Sequence, residues 1–334
     1  MAHPPTAHPP TAHPPCALAL HGGAGTMRPE QMGPDGPAPY HEGLRAALLA
    51  GWRVLRDGGR ALDAVTAAVA ALEDDPLFNA GRGAVFTADG RQEMDAAVME
   101  GAAEDGQAGR AGAVAGVFGP RNPVLAARAV MEHSEHVLLV GEGAEAFCRA
   151  RGVPFADAAH FRTPERWDAL RVVLRARERG EGVDDFNRHG TVGAVALDRA
   201  GRLAAATSTG GMTGKLPGRV GDSPVFGAGT WADRVCAVSA TGHGESFIRA
   251  AAAHEIAARV RLAGQDLDQA AADVVAELAA RGGDGGLVSV DRAGRVAMPF
   301  NTRGMYRGMV GPDGVARTAV WREEPRPWGV GDAA

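Results

Sequence analysis

Two stretches of this chain repeat one another: Gly193-Ala194-Val195-Ala196-Leu197-Asp198-Arg199-Ala200-Gly201-Arg202-Leu203-Ala204 and Gly286-Leu287-Val288-Ser289-Val290-Asp291-Arg292-Ala293-Gly294-Arg295-Val296-Ala297. In each, an apolar run meets a polar turn containing Gly and a second apolar run follows, which is the pattern of strand, turn, strand. Between them lie two Ala-rich helical patterns, about 244–262 and 267–280. Hairpins grouped with paired helices predict antiparallel sheets covered by helices, a layered α/β sandwich of α+β type. The strand–helix alternation of a doubly wound parallel sheet is not seen.

The first half fits the same scheme. A short apolar run at 16–20 opens into His21-Gly22-Gly23-Ala24-Gly25, which reads as a buried strand ending in a tight turn. Apolar positions at helical spacing predict helices over 40–57 and 60–74. A hairpin is expected from 84–87 and 92–99 around Ala88-Asp89-Gly90-Arg91, then a strand at 112–118 and a helix at 123–132. After Thr163-Pro164 a helix starts, and its continuation through 175–182 turns into Arg-, Glu- and Gly-rich linker chemistry.

Residues 1–15 repeat Ala-His-Pro-Pro-Thr almost without change, a low-complexity pattern that predicts a disordered tail ahead of one domain, 16–334. His3, His8 and His13 in that repeat offer at most adventitious metal chelation. The formal net charge of −5, with no basic stripe interleaved with aromatics, argues against nucleic acid. Cys16, Cys148 and Cys236 are isolated, so neither a disulfide framework nor a zinc site is indicated. No apolar run reaches membrane-spanning length and no signal-peptide pattern is present, so a cytoplasmic protein without membrane contact is expected.

Several Gly-rich stretches imitate nucleotide or hydrolase motifs and fail on inspection. Thr209 to Leu216 ends in Gly-Lys, but Thr209 and Leu216 stand where a phosphate loop needs Gly and Ser or Thr. Gly221-Asp222-Ser223-Pro224-Val225 lacks the last Gly of a nucleophile elbow, and no second His follows His254-Glu255 at the metalloprotease spacing.

What remains centres on Gly190-Thr191, where loop-like sequence runs into the apolar strand 192–197. If that bond breaks, Thr191 carries both a nucleophilic hydroxyl and a free α-amine, a nucleophile and base in one residue. A β-branched residue after Gly at a strand start is equally at home for structural reasons. Downstream, Thr207-Ser208-Thr209-Gly210-Gly211, Arg219, Asp222 and Thr241-Gly242-His243-Gly244-Glu245 have the chemistry for an amino-acid ligand. Arg219 suits an α-carboxylate and Asp222 an α-ammonium; a surface Arg–Asp pair would look the same in sequence. Thr241 and Gly242 offer a hydroxyl and a backbone N–H for an oxyanion, or a plain turn before the helix near Gly244.

Taken together, Gly190 to Ala196, Thr207 to Gly211, Gly218-Arg219-Val220-Gly221-Asp222-Ser223-Pro224 and Thr241 to Glu245 resemble the plant-type asparaginases, or isoaspartyl peptidases, among the N-terminal nucleophile hydrolases. The resemblance extends to His21 to Gly25, Pro76-Leu77-Phe78-Asn79-Ala80-Gly81 and Pro299-Phe300-Asn301-Thr302. It implies an αββα four-layer sandwich, self-cleaved between Gly190 and Thr191 into an α chain 1–190 and a β chain 191–334, with two αβ units pairing.

The resemblance further implies that Thr191 attacks isoaspartyl dipeptides or L-asparagine, with no cofactor in catalysis. Thr209 would orient Thr191, Thr241 and Gly242 would form the oxyanion hole, and Arg219, Asp222 and Gly244 would hold the aspartyl group. Asn79 would support the site from the α chain. His243, near Thr and Asp, suggests a triad but is better taken as a variable loop residue. A structural sodium would bind main-chain oxygens of Leu72, Glu73, Asp75, Phe78, Ala80 and Arg82; Asp75 and Arg82 depart from the bacterial pattern, to which carbonyl ligation is insensitive. Glycosylasparaginase activity on N-acetylglucosaminyl-asparagine is the nearest alternative, and an uncleaved amino-acid-binding protein the alternative from another class.

Overall fold

The computed structural model describes residues 16–25, 32, 35–101, 109–181, 190–311 and 313–327. The repeated tail expected over 1–15 lies outside them; of the linker expected over 175–182, residues 175–178 instead continue the helix Pro164–Glu178, and residue 182 lies outside. The protein is a mixed α/β fold with two sheets. The larger has nine strands in the order β13-β12-β11-β1-β5-β6-β2-β3-β4, and the smaller has four, β10-β9-β8-β7.

At the centre of the large sheet β1 (Ala17–Gly25) lies between β5 (Val192–Leu197) and β11 (Gly304–Val310), and β6 (Leu203–Thr209) follows β5. On β1, Leu18 and Leu20 join a core with Val192, Ala194 and Ala196 of β5, beneath helices α1 (Ala38–Arg56), α2 (Ala61–Asp74) and α3 (Pro123–His133). The alternate residues Ala17 and Ala19, with Val195, Leu197, Leu203 and Ala205, pack against Ala237, Val288 and Val290 of the second sheet. Both faces of these strands are therefore covered, which is why they are apolar throughout rather than alternating. A further core joins β8 (Cys236–Gly242) and β9 (Gly285–Asp291) to α7 (Gly244–Ala250), α8 (Ala252–Ala263) and α9 (Leu267–Ala280).

Both repeated segments fold as expected, β5 with β6 and β9 with β10 (Val296–Ala297). The helices α1 to α3 match the expected ones to within two residues. Four further expectations fail. The His21 to Gly25 turn is instead the second half of β1, whose pairing with β11 shifts register between His21 and Gly23. Residues 84–87 make no hairpin with β2 (Met94–Glu100): the Val85 N–H goes to Asn79 Oδ1 at 3.0 Å, and the Phe86 carbonyl takes Gly214 N–H at 2.7 Å. With their hydrogen bonds spent elsewhere, these residues leave β2 to pair with β6 and β3 (Arg110–Val117).

The third failure is the helix expected over 244–262, which breaks at Ala251, a non-glycine residue at φ 47°. That conformation costs about 1–2 kcal/mol, offset where the free N–H groups of Ala253 and His254 at the start of α8 reach the carbonyls of Ala228 and Gly227 at 3.1 and 2.9 Å. Last, one edge of the large sheet is parallel, β3 with β4 (Leu138–Val140), the crossover being α3. The remaining elements are β7 (Thr230–Ala232), β12 (Ala316–Ala319), β13 (Arg326–Pro327), α4 (Gly141–Ala150), α5 (Ala158–Phe161) and α6 (Pro164–Glu178), the last capped by the Thr163 hydroxyl. Among the described residues no helix is long and apolar enough to cross a membrane.

Candidate active site

Antiparallel pairing of β5 with β6 sets Val192 opposite Ser208, so the next step outward faces Thr191 with Thr209. Their hydroxyl oxygens lie 3.1 Å apart. Thr191 is buried immediately before the first residue of β5. Thr209 Oγ1 accepts the Gly211 N–H at 2.9 Å, which turns its single proton toward Thr191 and the Gly190 carbonyl.

The Gly190 carbonyl oxygen is crowded with donors. Thr191 Oγ1 lies 2.8 Å from it, Thr209 Oγ1 3.0 Å and Asn79 Nδ2 2.8 Å. Asn79 is fixed from three directions, since Nδ2 also reaches the Gly211 carbonyl at 2.7 Å and Oδ1 accepts from Val85. The chain passes close by: a Cβ on Gly23, at φ +117°, would sit 3.1 Å from Gly190 Cα.

Thr191, Thr209, Arg219, Asp222, Ser223 and Gly242 line one small pocket, together with Gly190. Asp222 is buried and its Oδ2 has no hydrogen-bond partner among the described residues. Burial pushes its carboxyl up to about 7, against the pull of Arg219. Arg219 does not pair with Asp222 as a plain surface pair would. Its Nε and Nη2 make a fork with Glu245 at 3.0 and 2.9 Å, and partial burial notwithstanding, that fork holds Glu245 down at about 2. Gly244 lets these groups converge: a Cβ there would lie 2.8 Å from Asp222 Oδ1 and 3.1 Å from Arg219 Nη2.

Thr241 and Gly242 end strand β8 rather than form a turn. Thr241 Oγ1 accepts the Ala24 N–H at 3.2 Å, which leaves its own proton to donate elsewhere. Gly242 has φ 145°, and a Cβ would meet Gly285 Cα at 2.5 Å. His243 faces Ser246 at 3.1 Å and Glu245 at 3.2 Å; its ring contacts do not include Thr191. Lys215, the lysine of the failed phosphate-loop pattern, is buried with Nζ on the Glu93 carbonyl at 2.7 Å.

The loop of Leu72, Glu73, Asp75, Phe78, Ala80 and Arg82 folds back on itself beside Asn79. Gly81, at φ +50°, comes so near that a Cβ would lie 2.5 Å from the Glu73 carbonyl oxygen. The two ends of the loop thus lie against each other.

Two residues of the site were not singled out from sequence. His21 lies beneath Thr191, its Nδ1 2.9 Å from the Thr191 carbonyl oxygen. Glu245 occupies Arg219. His21 was visible as the polar member of an otherwise apolar strand, but taking the glycines after it for a turn hid its place on the ladder. Glu245 carried no local signal, because its partner is 26 residues away.

The model of the asparaginase family matches residues 14–320 of this chain. An isoaspartyl peptidase of Escherichia coli (strain K12) is 51% identical over 317 residues, covering 92% of this chain and 96% of that one. A plant-type L-asparaginase of Pyrococcus abyssi is 45% identical over 300 residues, covering 86% and 94%. A probable isoaspartyl peptidase/L-asparaginase of Arabidopsis thaliana is 38% identical over 332 residues, covering 91% and 98%. The matched span begins just before β1, ends just past β12 and takes in every residue of the Thr191 pocket: this chain belongs to the asparaginase family.

Proposed function

We propose that this protein is a self-processing threonine hydrolase that cleaves isoaspartyl dipeptides and L-asparagine, built as the αββα sandwich of the N-terminal nucleophile hydrolases. The observation that carries the reading is the Gly190 carbonyl, polarised by Asn79 and Thr209 with the Thr191 hydroxyl 2.8 Å away, inside the pocket that holds Asp222 and Arg219.

In processing, Thr191 Oγ1 bonds to the Gly190 carbonyl carbon while Asn79 Nδ2 and the Thr209 hydroxyl stabilise the oxyanion. The hydroxyl proton passes to the departing Thr191 nitrogen as the C–N bond breaks. Water then opens the Gly190–Thr191 ester, leaving a carboxylate on Gly190 and a free hydroxyl and amine on Thr191. The chains 1–190 and 191–334 stay together because β1, from the first, lies between β5 and β11 of the second.

In turnover the new amine, with an ordinary pKa of about 8, takes the hydroxyl proton as Oγ1 attacks the substrate's β-carbonyl. Thr241 Oγ1–H and the Gly242 N–H receive the oxyanion. Asp222 Oδ2 takes the α-ammonium and Arg219, sharing its fork with Glu245, takes the α-carboxylate. The released amine is ammonia or an amino acid, and water hydrolyses the β-aspartyl ester. Catalysis needs no cofactor. We assign the carbonyls of Leu72, Glu73, Asp75, Phe78, Ala80 and Arg82 to a sodium ion that would brace the Asn79 loop and take no part in the chemistry. A pair of αβ units in the cytoplasm is the working form.

Mass spectrometry under denaturing conditions tests processing: two fragments divided at Gly190–Thr191 are expected, and a single intact chain after prolonged incubation would leave the amino-acid-binding reading. Rates on β-aspartyl-leucine and N-acetylglucosaminyl-asparagine test the substrate. Preference for the second would make this a glycosylasparaginase.

A further inference from the structure

A file of buried polar side chains crosses the core between the two sheets. His21 Nδ1 lies 2.9 Å from the Thr191 carbonyl oxygen, and His21 Nε2 lies 3.0 Å from Ser239 Oγ on β8. Ser239 Oγ is 2.7 Å from Thr207 Oγ1 on β6, which is 2.6 Å from Thr230 Oγ1 on β7. All four side chains are buried. Room for the file is made by Gly193, where a Cβ would overlap Ser239 Oγ and sit 2.7 Å from His21 Nε2.

The directions of these hydrogen bonds follow from one end. A carbonyl oxygen only accepts, so Nδ1 of His21 carries the ring proton. Burial keeps the ring neutral, its pKa pushed down to about 3, so Nε2 is bare and accepts from Ser239. Ser239 has then used its proton and accepts from Thr207, and beyond it the single proton of Thr230 is shared between Thr207 Oγ1 and the Ser223 carbonyl at 2.8 Å. The Thr191 carbonyl thus fixes the tautomer of His21, and the Ser239 hydroxyl, donating to the bare Nε2, supports it.

The ladder between β1 and β5 ends at His21 opposite Gly193. Thr191 lies beyond its last rung, and the ring of His21 supplies the hydrogen bond that the backbone of β1 does not. We infer that His21 is a positioning residue for the nucleophile, holding Thr191 by its carbonyl so that the residue stays in register once cleavage has made it a chain terminus. The inference rests on the self-processing reading. It assigns His21 no proton transfer, and the donor it offers persists at every working pH.

The test compares two amides that keep different nitrogens of the ring, in the full chain. His21→Asn keeps a donor near Nδ1, facing Thr191; His21→Gln keeps a group near Nε2, facing Ser239. Fragment masses, kcat and KM on β-aspartyl-leucine are measured for each. Loss of the Thr191 anchor should lower kcat by about 10- to 100-fold in His21→Gln with KM within about twofold, because small displacements of a reacting group have effects of this order. His21→Asn should stay within about fivefold of the parent in kcat. Equal kcat in the two variants, or a loss confined to KM, overturns the inference. An uncleaved parent chain overturns the self-processing reading, a separate outcome read from its masses. If His21→Gln yields no soluble protein, Ser239→Ala decides: a several-fold fall in kcat at unchanged KM supports the assignment and an unchanged kcat refutes it.

Discussion

The two repeated hairpins share a turn down to its hydrogen bonds. In β5–β6 the carboxylate of Asp198 takes the N–H groups of Ala200 and Arg202 at 2.9 and 3.1 Å and Arg202 Nε at 2.9 Å; in β9–β10 Asp291 takes those of Ala293 and Arg295 at 2.9 and 3.0 Å and Arg295 Nε at 2.7 Å. Gly201 and Gly294 both have φ above 70°, the left-handed position of a three-residue hairpin loop. The far ends differ. Gly285 and Asn301 of the second hairpin stand where the first pairs Val192 with Ser208, and there Asn301 Oδ1 accepts the Gly285 N–H at 2.8 Å; the first hairpin goes on one step further to face Thr191 with Thr209. One hairpin ends in two hydroxyls and an amide aimed at a carbonyl; the other ends in a backbone closure. A shared turn sets the register, and the residues that the register brings face to face decide whether the end of a hairpin is chemistry or scaffold.

The largest break in that comparison is Thr191→Ala. It should leave one uncleaved chain and lower hydrolysis by at least about 10⁴-fold, as loss of a covalent nucleophile does, while Thr191→Ser retains both reactions. Intact mass and a β-aspartyl-leucine assay decide, and fragments from Thr191→Ala would remove Thr191 from the chemistry. Thr209→Val is the next step down. It keeps the strand's shape and deletes one donor to the Gly190 oxygen, so cleavage followed over time should slow by about 10²-fold. Unchanged cleavage would return Thr209 to a packing role like that of Asn301.

The pH dependence of binding belongs to the same end of the first hairpin. Asp222, pushed up to about 7 by burial, is protonated below that pH and then no longer attracts an α-ammonium. KM should therefore rise about tenfold per unit as pH falls below about 7 and level off above it, and Asp222→Asn should abolish the limb at a high, constant KM. For stability the sign is the reverse of the usual carboxylate case: the folded pKa exceeds the ordinary 3.8, so the free protein loses stability as pH rises from there to about 7. Thermal unfolding of the substrate-free protein at pH 5 and 7 checks this, with Asp222→Asn losing the difference.

How far the sequence reached follows the range of the interactions. The turns at Asp198 and Asp291 are local, and both hairpins were legible. Their register was legible too: counting back from Asp198 and Arg202 pairs Thr191 with Thr209. Helices α1 to α3 were readable because their apolar stripes lie within the segment. The break at Ala251 was not, since the carbonyls that receive the start of α8 belong to Gly227 and Ala228. Residues 84–87 had a strand's composition, and Asn79 and Gly214 took their hydrogen bonds. At the site, the residue types that suit an amino-acid ligand, Arg219 and Asp222, were recognisable by chemistry. Glu245, Asn79's three bonds and the His21 file depend on elements that only the fold brings together.

The finest distinction between the hairpins lies within the turn they share. Asp198 Oδ2 also accepts the Ala61 N–H at 3.0 Å, at the start of α2, where the N-cap residue Arg60 supplies no side-chain bond. Among the described residues Asp291 caps no helix in this way; its partner Arg295 reaches Asp266 on the surface, at 3.0 Å. Asp198→Ala therefore removes a turn lock and a helix cap together, and Asp291→Ala the turn lock alone. The first should cost about 2–3 kcal/mol and the second about 1–2, the difference of about 1 kcal/mol being the value of a cap. Urea unfolding in the uncleaved Thr191→Ala background measures both as a single chain, so that loss of one fragment does not enter. Equal values would mean that α2 is held by its packing on β5 and β6 and takes nothing from the cap, and the two turns would then be equivalent in energy as well as in shape.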